Sequence, residues 1–117
     1  MSVTSAGDCL FCKIAGREIS AKEIFRDADV VAIEDINPQA PVHALVMPVK
    51  HYANAGELVG TDDALFGRVV ATAARLGREL GTGGYRLVVN TGVDGGQTVD
   101  HLHVHVLAGR SMKWPPG

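Results

Sequence analysis

Hydrophobic and polar positions alternate most strictly at His101-Leu102-His103-Val104-His105-Val106-Leu107. That period of two predicts a strand with one polar and one apolar face. The imidazoles of His101, His103 and His105 then form one row, with neighbours about 6.8 Å apart. Leu102, Val104 and Val106 point the other way. A polar loop with three glycines, Asn90 to Thr98, leads into the row and allows the backbone to approach a ligand closely.

The pattern upstream predicts shorter elements. Asp8 to Gly16 reads as a short helix, capped by Asp8 and ended by Gly16, with Leu10, Phe11 and Ile14 on one face. Glu23 to Asp27 and Val30 to Asp35 read as two strands around an Asp-Ala-Asp turn. Two prolines make Asn37 to Pro41 a loop, and His43 to Val49 is an apolar strand that stops near Pro48. Thr61 to Leu80 is the one long helix. Thr61 suits the N-cap, and Asp62 and Asp63 suit the first turn. Leu65, Val69, Ala73, Leu76 and Leu80 recur at helical spacing, while Arg68, Arg75, Arg78 and Glu79 face away. Gly67 and Gly77 inside this helix cost about 1 kcal/mol each relative to Ala, a cost that close packing against the sheet would explain. Tyr85 to Asn90 is a further strand. The expected fold is α+β: an antiparallel sheet of about five strands with one long and one short helix. One domain covers residues 9–117, including a C-terminal tail at 108–117, and residues 1–8 form a disordered tail.

Composition narrows the function without naming it. The 117 residues are 46% hydrophobic and 21% charged, with 11 basic and 13 acidic side chains for a net charge of −2. With no basic run or basic, aromatic-studded face, a nucleic-acid partner is not expected. No apolar stretch approaches the length of a membrane span and no charged-then-apolar leader is present, so a cytoplasmic protein is expected. A small phosphate-bearing ligand needs only local donors.

The histidine row carries the candidate chemistry. Adjacent ligands on one strand converge poorly on a single ion, and the row holds no carboxylate. Imidazole also serves as a nucleophile, and a neighbouring imidazole can donate to an anionic substrate. A merely histidine-rich exposed strand is the weaker reading, because three of the chain's five histidines stand in alternate register.

The row resembles the His-x-His-x-His signature of the histidine triad superfamily, and more narrowly that of its Hint branch, the histidine triad nucleotide-binding proteins. Phe11-Cys12-Lys13-Ile14, Asp35 to Pro41, Tyr85 to Asn90 and Trp114-Pro115-Pro116-Gly117 resemble Hint stretches in the same order. The resemblance covers roughly residues 9–117.

It implies His103 as the nucleophile, with one ring nitrogen held by a backbone carbonyl of the triad. His101 and His105 then donate to the non-bridging phosphate oxygens. His43 matches a fourth active-site histidine. Thr98 stands where a serine usually helps the leaving group take a proton; the hydroxyl is retained, and the extra methyl narrows its rotamers. Asn90 matches a residue that reaches ribose or phosphate, Gly96 and Gln97 supply backbone donors, and Asp35 accepts from the ribose hydroxyls. Leu10, Phe11, Ile14, Ile33 and Ile36 match the purine pocket, Ile33 replacing a frequent aromatic. Trp114 matches a tail that reaches the partner's site in a homodimer, across which the sheet extends.

Cys9-x-x-Cys12 is half of a zinc site, and a disulfide is not expected of a single close pair in a cytoplasmic protein. Some bacterial-type histidine triad proteins complete a structural zinc site with positions matching His51 and His101, whereas other Hint proteins lack cysteines and metal. With zinc, His101 is a ligand rather than a phosphate donor. Catalysis needs neither redox cofactor nor magnesium. The expected activity is hydrolysis of a purine nucleoside phosphoramidate to nucleoside 5′-monophosphate and amine. The alternatives are hydrolysis of dinucleoside polyphosphates, nucleotidyl transfer, zinc-dependent hydrolysis, and a nucleotide-binding or scaffold protein with incidental turnover.

Overall fold

Short polar side chains set where each element begins. In the computed structural model, which describes residues 8–117, α1 spans Leu10–Ala15. Its N-cap is Cys9, not Asp8: the Cys9 sulfur accepts the Cys12 amide at 3.3 Å. Apart from Asp8, the expected N-terminal tail lies outside the described residues. Strands β1 (Glu23–Arg26) and β2 (Val30–Glu34) are joined by a turn in which Asp27 Oδ1 accepts the amides of Asp29 and Val30, each at 2.8 Å. Those two bonds hold the Asp27 carboxyl below its ordinary pKa.

After β3 (Val42–Pro48) comes a helical turn that the periodicity does not predict, α2 (Ala55–Leu58). The Asn54 side chain caps it by accepting the Glu57 amide at 2.9 Å, and the Glu57 carboxylate reaches back to the Ala53 amide. Asn-x-x-Glu is a helix-start signal, but four residues are too few to show a period. The long helix α3 spans Asp63–Leu80, one turn-residue later than expected. Asp62 is its cap, accepting the Leu65 amide at 3.0 Å, while the Thr61 hydroxyl donates back to Glu57 O. β4 (Tyr85–Val89) and β5 (Val104–Ala108) complete the chain. The histidine strand therefore starts at Val104; His101 to His103 lie in the extended segment before it, where the Leu102 amide bonds to Tyr52 O.

The five strands form one antiparallel sheet in the order β1-β2-β3-β5-β4. Alternation splits the buried side chains between two faces. Val30, Ala32, Ala44, Val46, Val104 and Val106 pack with Leu65, Val69, Ala73 and Leu76 of α3. Val31, Ile33, Leu45 and Met47 pack with Cys9, Phe11 and Ile14 at α1. β2 is thus buried on both sides, and the histidines share the α1 face.

The two glycines of α3 differ. A Cβ on Gly77 would lie 2.5 Å from Tyr85 ring carbons, so close packing explains it. Gly67 is exposed with nothing within 4 Å of such a Cβ, and packing does not explain it. Leu80, expected on the buried face, is 42% exposed at the helix end. Gly67→Ala should raise stability by about 1 kcal/mol through helix propensity. Gly77→Ala should lower it by about 1–3 kcal/mol through overpacking. Urea unfolding at fixed protein concentration checks both signs.

Candidate functional site

The register of β3 against β5 builds the site. Leu45 lies opposite His105 and His43 opposite Leu107, so His43 and His105 are diagonal neighbours on one face. Their rings meet with His43 Nε2 2.9 Å from His105 Nδ1. The Gln39 amide donates to His43 Nδ1 at 3.0 Å, and Asp35 Oδ2 lies 3.4 Å from His43 Nε2. His103 follows on the same side, its ring 4.9 Å from that of His105 and 5.0 Å edge-on from Phe11.

His103 has a defined tautomer. Its Nδ1–H donates to the His101 carbonyl at 2.7 Å, which leaves Nε2 with the lone pair. Burial keeps the pKa values of His43 and His103 below the free-imidazole value. Burial, with repulsion from His103 and His43, pushes His105 down to about 4. At neutral pH these rings are uncharged, able to attack or donate but not to act as cations.

A cavity of about 310 Å³ opens onto His103 and His105. Leu10, Phe11, Ile14, Ile33 and Ile36 all line it, as do Asp35 and Thr98. Phe11, Ile14 and Ile33 are buried, whereas Ile36 is fully exposed at the rim. Asp35 Oδ1 accepts the Asn37 amide at 2.8 Å, which fixes the carboxylate at the cavity wall. Leu45 and Val99 also line the cavity. Leu45 was legible as the residue two places after His43 on the same strand face; Ile19 to Ala21 line it too, from a segment with no period.

Several expected contributors lie elsewhere. The amides of Gly96 and Gln97 are spent inside the glycine loop, on Val93 O and Gly92 O, each at 3.0 Å, rather than offered to a ligand. The Gln97 side chain braces the loop, donating to Ala53 O and Val99 O and accepting from the Gly92 amide. Asn90 is outside the cavity lining, and Trp114 is 83% exposed and outside it as well.

Of the two places expected for His101, the structure puts it in the Cys–His group. His101 is fully buried, and its Nε2–H donates to Pro48 O at 2.8 Å. Its Nδ1 faces Cys9 Sγ at 3.3 Å, Cys12 Sγ at 3.4 Å and His51 Nδ1 at 3.3 Å. Both nitrogens are thus engaged away from the cavity, whose lining does not include His101. Cys12 Sγ and His51 Nδ1 close the group at 3.2 Å. A tetrahedral zinc with two sulfur and two nitrogen ligands has edges of roughly 3.3–3.8 Å, so the four donor atoms Cys9, Cys12, His51 and His101 fit the ion. Two imidazole nitrogens pointed at one centre are also better explained by a cation between them than by each other. The Pro48 carbonyl orients His101 as an outer partner orients a metal ligand, whereas His51 Nε2 is buried without a partner among the described residues. Burial and the neighbouring Cys9 push the Cys12 thiol above its ordinary pKa, a shift that a bound cation would reverse.

The chain is similar to known proteins in sequence and fold. An uncharacterized HIT-like protein of Synechococcus elongatus is 48% identical over 111 residues, 94% of this chain and 97% of its own. The crystal structure of a HIT family hydrolase from Legionella pneumophila superposes with a TM-score of 0.89 at 46% identity, covering 93% of this chain and 99% of that one. A zinc-bound histidine triad family protein from Mycobacterium smegmatis superposes with a TM-score of 0.77 at 31% identity, covering 91% and 78%. The HIT domain matches residues 16–112, a span that holds all three triad histidines and His43, and the chain belongs to the HIT domain family.

Proposed function

We propose that the chain hydrolyses purine nucleoside phosphoramidates through a nucleotidyl-histidine at His103. The observation that carries this reading is the bond from His103 Nδ1–H to the His101 carbonyl, which leaves an unprotonated Nε2 at the cavity. In the first step Nε2 attacks phosphorus and the P–N bond to the amine breaks. The departing amine takes a proton, carried by the Thr98 hydroxyl at the cavity wall. In the second step water attacks phosphorus and gives a proton back to the Thr98 oxygen, the phosphorus–imidazole bond breaks with its electron pair returning to Nε2, and nucleoside 5′-monophosphate leaves. His105 donates to the phosphoryl oxygens, where negative charge gathers. Asp35 accepts from the ribose hydroxyls, and the walls around Phe11, Ile14 and Ile33 take the base. The relative from Legionella bears the name hydrolase, and the resemblance to the Hint branch supplies the phosphoramidate.

The reading includes a homodimer. β4 is an open sheet edge with Tyr85 and Val89 exposed, and Leu80 is exposed nearby, an apolar strip suited to continuing the sheet into a second copy. Trp114, unused in its own chain, would then serve the partner's cavity. Zinc, where bound by Cys9, Cys12, His51 and His101, supplies structural cross-linking of α1 to the triad segment. The two free thiols suit a cytoplasmic setting, and no helix among the described residues is long and apolar enough to cross a membrane.

Release of a fluorescent amine from an adenosine 5′-phosphoramidate should fall by about 10³-fold or more in His103→Ala. Unchanged turnover in that variant would remove His103 as nucleophile. Absent turnover in the native chain, with nucleotide still bound, would instead favour a binding protein. Purified chain should carry about one zinc per protomer by elemental analysis, and Cys12→Ser should carry far less. Chelation should lower the thermal midpoint while leaving turnover below that midpoint within a few-fold, since no reacting atom contacts the cluster. The depressed pKa values of His43 and His105 give the pH dependence its sign. Between about 6.5 and about 4 the unfolded His105 binds a proton that the folded ring refuses, and His43 is shifted in the same direction, so stability falls as pH falls across that window. Urea midpoints against pH should show a shallower slope there for His105→Asn than for the native chain.

A further inference from the structure

The two peptide groups that meet at Gln39 are each held by a side chain. The Gln39 amide donates to His43 Nδ1 at 3.0 Å, and the Gln39 carbonyl accepts from Arg110 Nε at 2.9 Å. Arg110 Nη1 also donates to Ser111 O at 3.2 Å, which steadies the guanidinium on the chain just past β5. The preceding Gly109, at φ 91°, packs so tightly on the same loop that a Cβ would lie 2.8 Å from Pro41. Gln39 Nε2 closes the loop on Asn37 O at 3.0 Å. The segment after β5 therefore grips the loop that enters β3.

A neutral imidazole carries one proton, so these contacts decide where it sits. The Gln39 amide at Nδ1 of His43 requires a lone pair there and places the proton on Nε2. That proton points at His105 Nδ1, 2.9 Å away, with Asp35 Oδ2 as the longer alternative at 3.4 Å. His105 Nδ1 must then accept, and the proton of His105 moves to its Nε2. The same argument rejects a second metal centre at Asp35, His43 and His105, whose donor atoms cluster closely enough for one. His43 Nε2, the atom a metal would need, is already protonated.

We propose that Arg110 and the Gln39 backbone are positioning groups that lock His43 and His105 as Nε2–H tautomers. Arg110 touches neither cavity nor substrate. It acts by anchoring the carbonyl of the 39–40 peptide, which restrains the backbone dihedrals at Gln39 and through them the neighbouring 38–39 amide that faces His43; two imidazoles relay that restraint to the site. The catalytic consequence rests on the phosphoramidate reading above, since it makes His105 a proton donor toward the phosphoryl group; the tautomers themselves do not rest on it.

Long-range proton–nitrogen correlation spectra of the full chain, labelled with ¹⁵N-histidine, report each tautomer at pH 7.5. The groups facing the two rings are Asp35 and His105 for His43, and His103, His43 and Asp35 for His105. The native chain should show Nε2–H at both rings. Arg110→Ala should introduce Nδ1–H signal at His43 and His105 and lower kcat by about 10-fold with a smaller change in KM. Arg110→Lys, which keeps a cationic donor, should recover part of both. Gln39→Pro, which deletes the amide, should shift the His43 tautomer with Arg110 intact. Nδ1–H at either ring of the native chain would overturn the proposal, as would an Arg110→Ala spectrum identical to the native one. A native chain with the expected tautomers, responsive to Arg110→Ala but inert toward phosphoramidates, would sustain this proposal and sink the activity assignment. Brisk turnover with tautomers indifferent to Arg110 would do the reverse.

Discussion

The antiparallel register between β3 and β5 is the constraint on which the site depends. Leu45 opposite His105 sets His43 beside His105, and the same register sends Val104 and Val106 to the face covered by α3. A slip by one residue would turn the imidazoles of His103 and His105 into an apolar core and expose the valines in their place. Burying two unpaired imidazoles against leucine and valine is costly, so the hydrophobic pattern that stabilises the sheet also polices the chemistry. No separate device is needed to hold the catalytic face outward from α3.

The α1 helix ties two otherwise separate features together. Its cap is the Cys9 sulfur, one of four donors in the Cys–His group, and Leu10, Phe11 and Ile14 form a wall of the cavity. Phe11 stands edge-on to both His101, at 6.0 Å between ring centres, and His103, at 5.0 Å. A helix of six residues is too short to be stable alone. Its position depends on what anchors its start, and the donor group does so at the point where the triad segment passes.

Much of the arrangement was legible in the sequence because it follows from periods. Alternation located the histidine strand, short runs between turn signals located the other four, and helical spacing located α3 and most of its buried face. The cavity wall was legible only through the family resemblance, since Phe11, Ile14 and Ile33 look like ordinary core. What escaped were features decided by single contacts. The cap of α1 went to Cys9 because its sulfur faces the Cys12 amide, and no periodicity ranks a thiol above the carboxylate of Asp8. The amides of Gly96 and Gln97 turned inward because the loop closes on itself. The triad pattern runs without a break through His101, but ladder pairing begins only at Val104: the Leu102 amide is taken by Tyr52 O instead of a strand partner. Arg110 carried no sequence signal of any kind, because its partner is a backbone carbonyl 71 residues away.

The strand order has a kinetic consequence. β5 is the last strand in sequence yet lies between β3 and β4, and among the described residues β4 pairs with no other strand. Until β5 inserts, β4 is an orphan and the sheet stops at β3. Insertion closes a loop of more than fifty residues, an entropic cost that must be met before any contact repays it. The one strand that delivers His105 is therefore also the keystone of the sheet. A nearly folded chain that lacks it has neither a complete sheet nor a complete site, so activity reports the end of folding rather than any stage along the way.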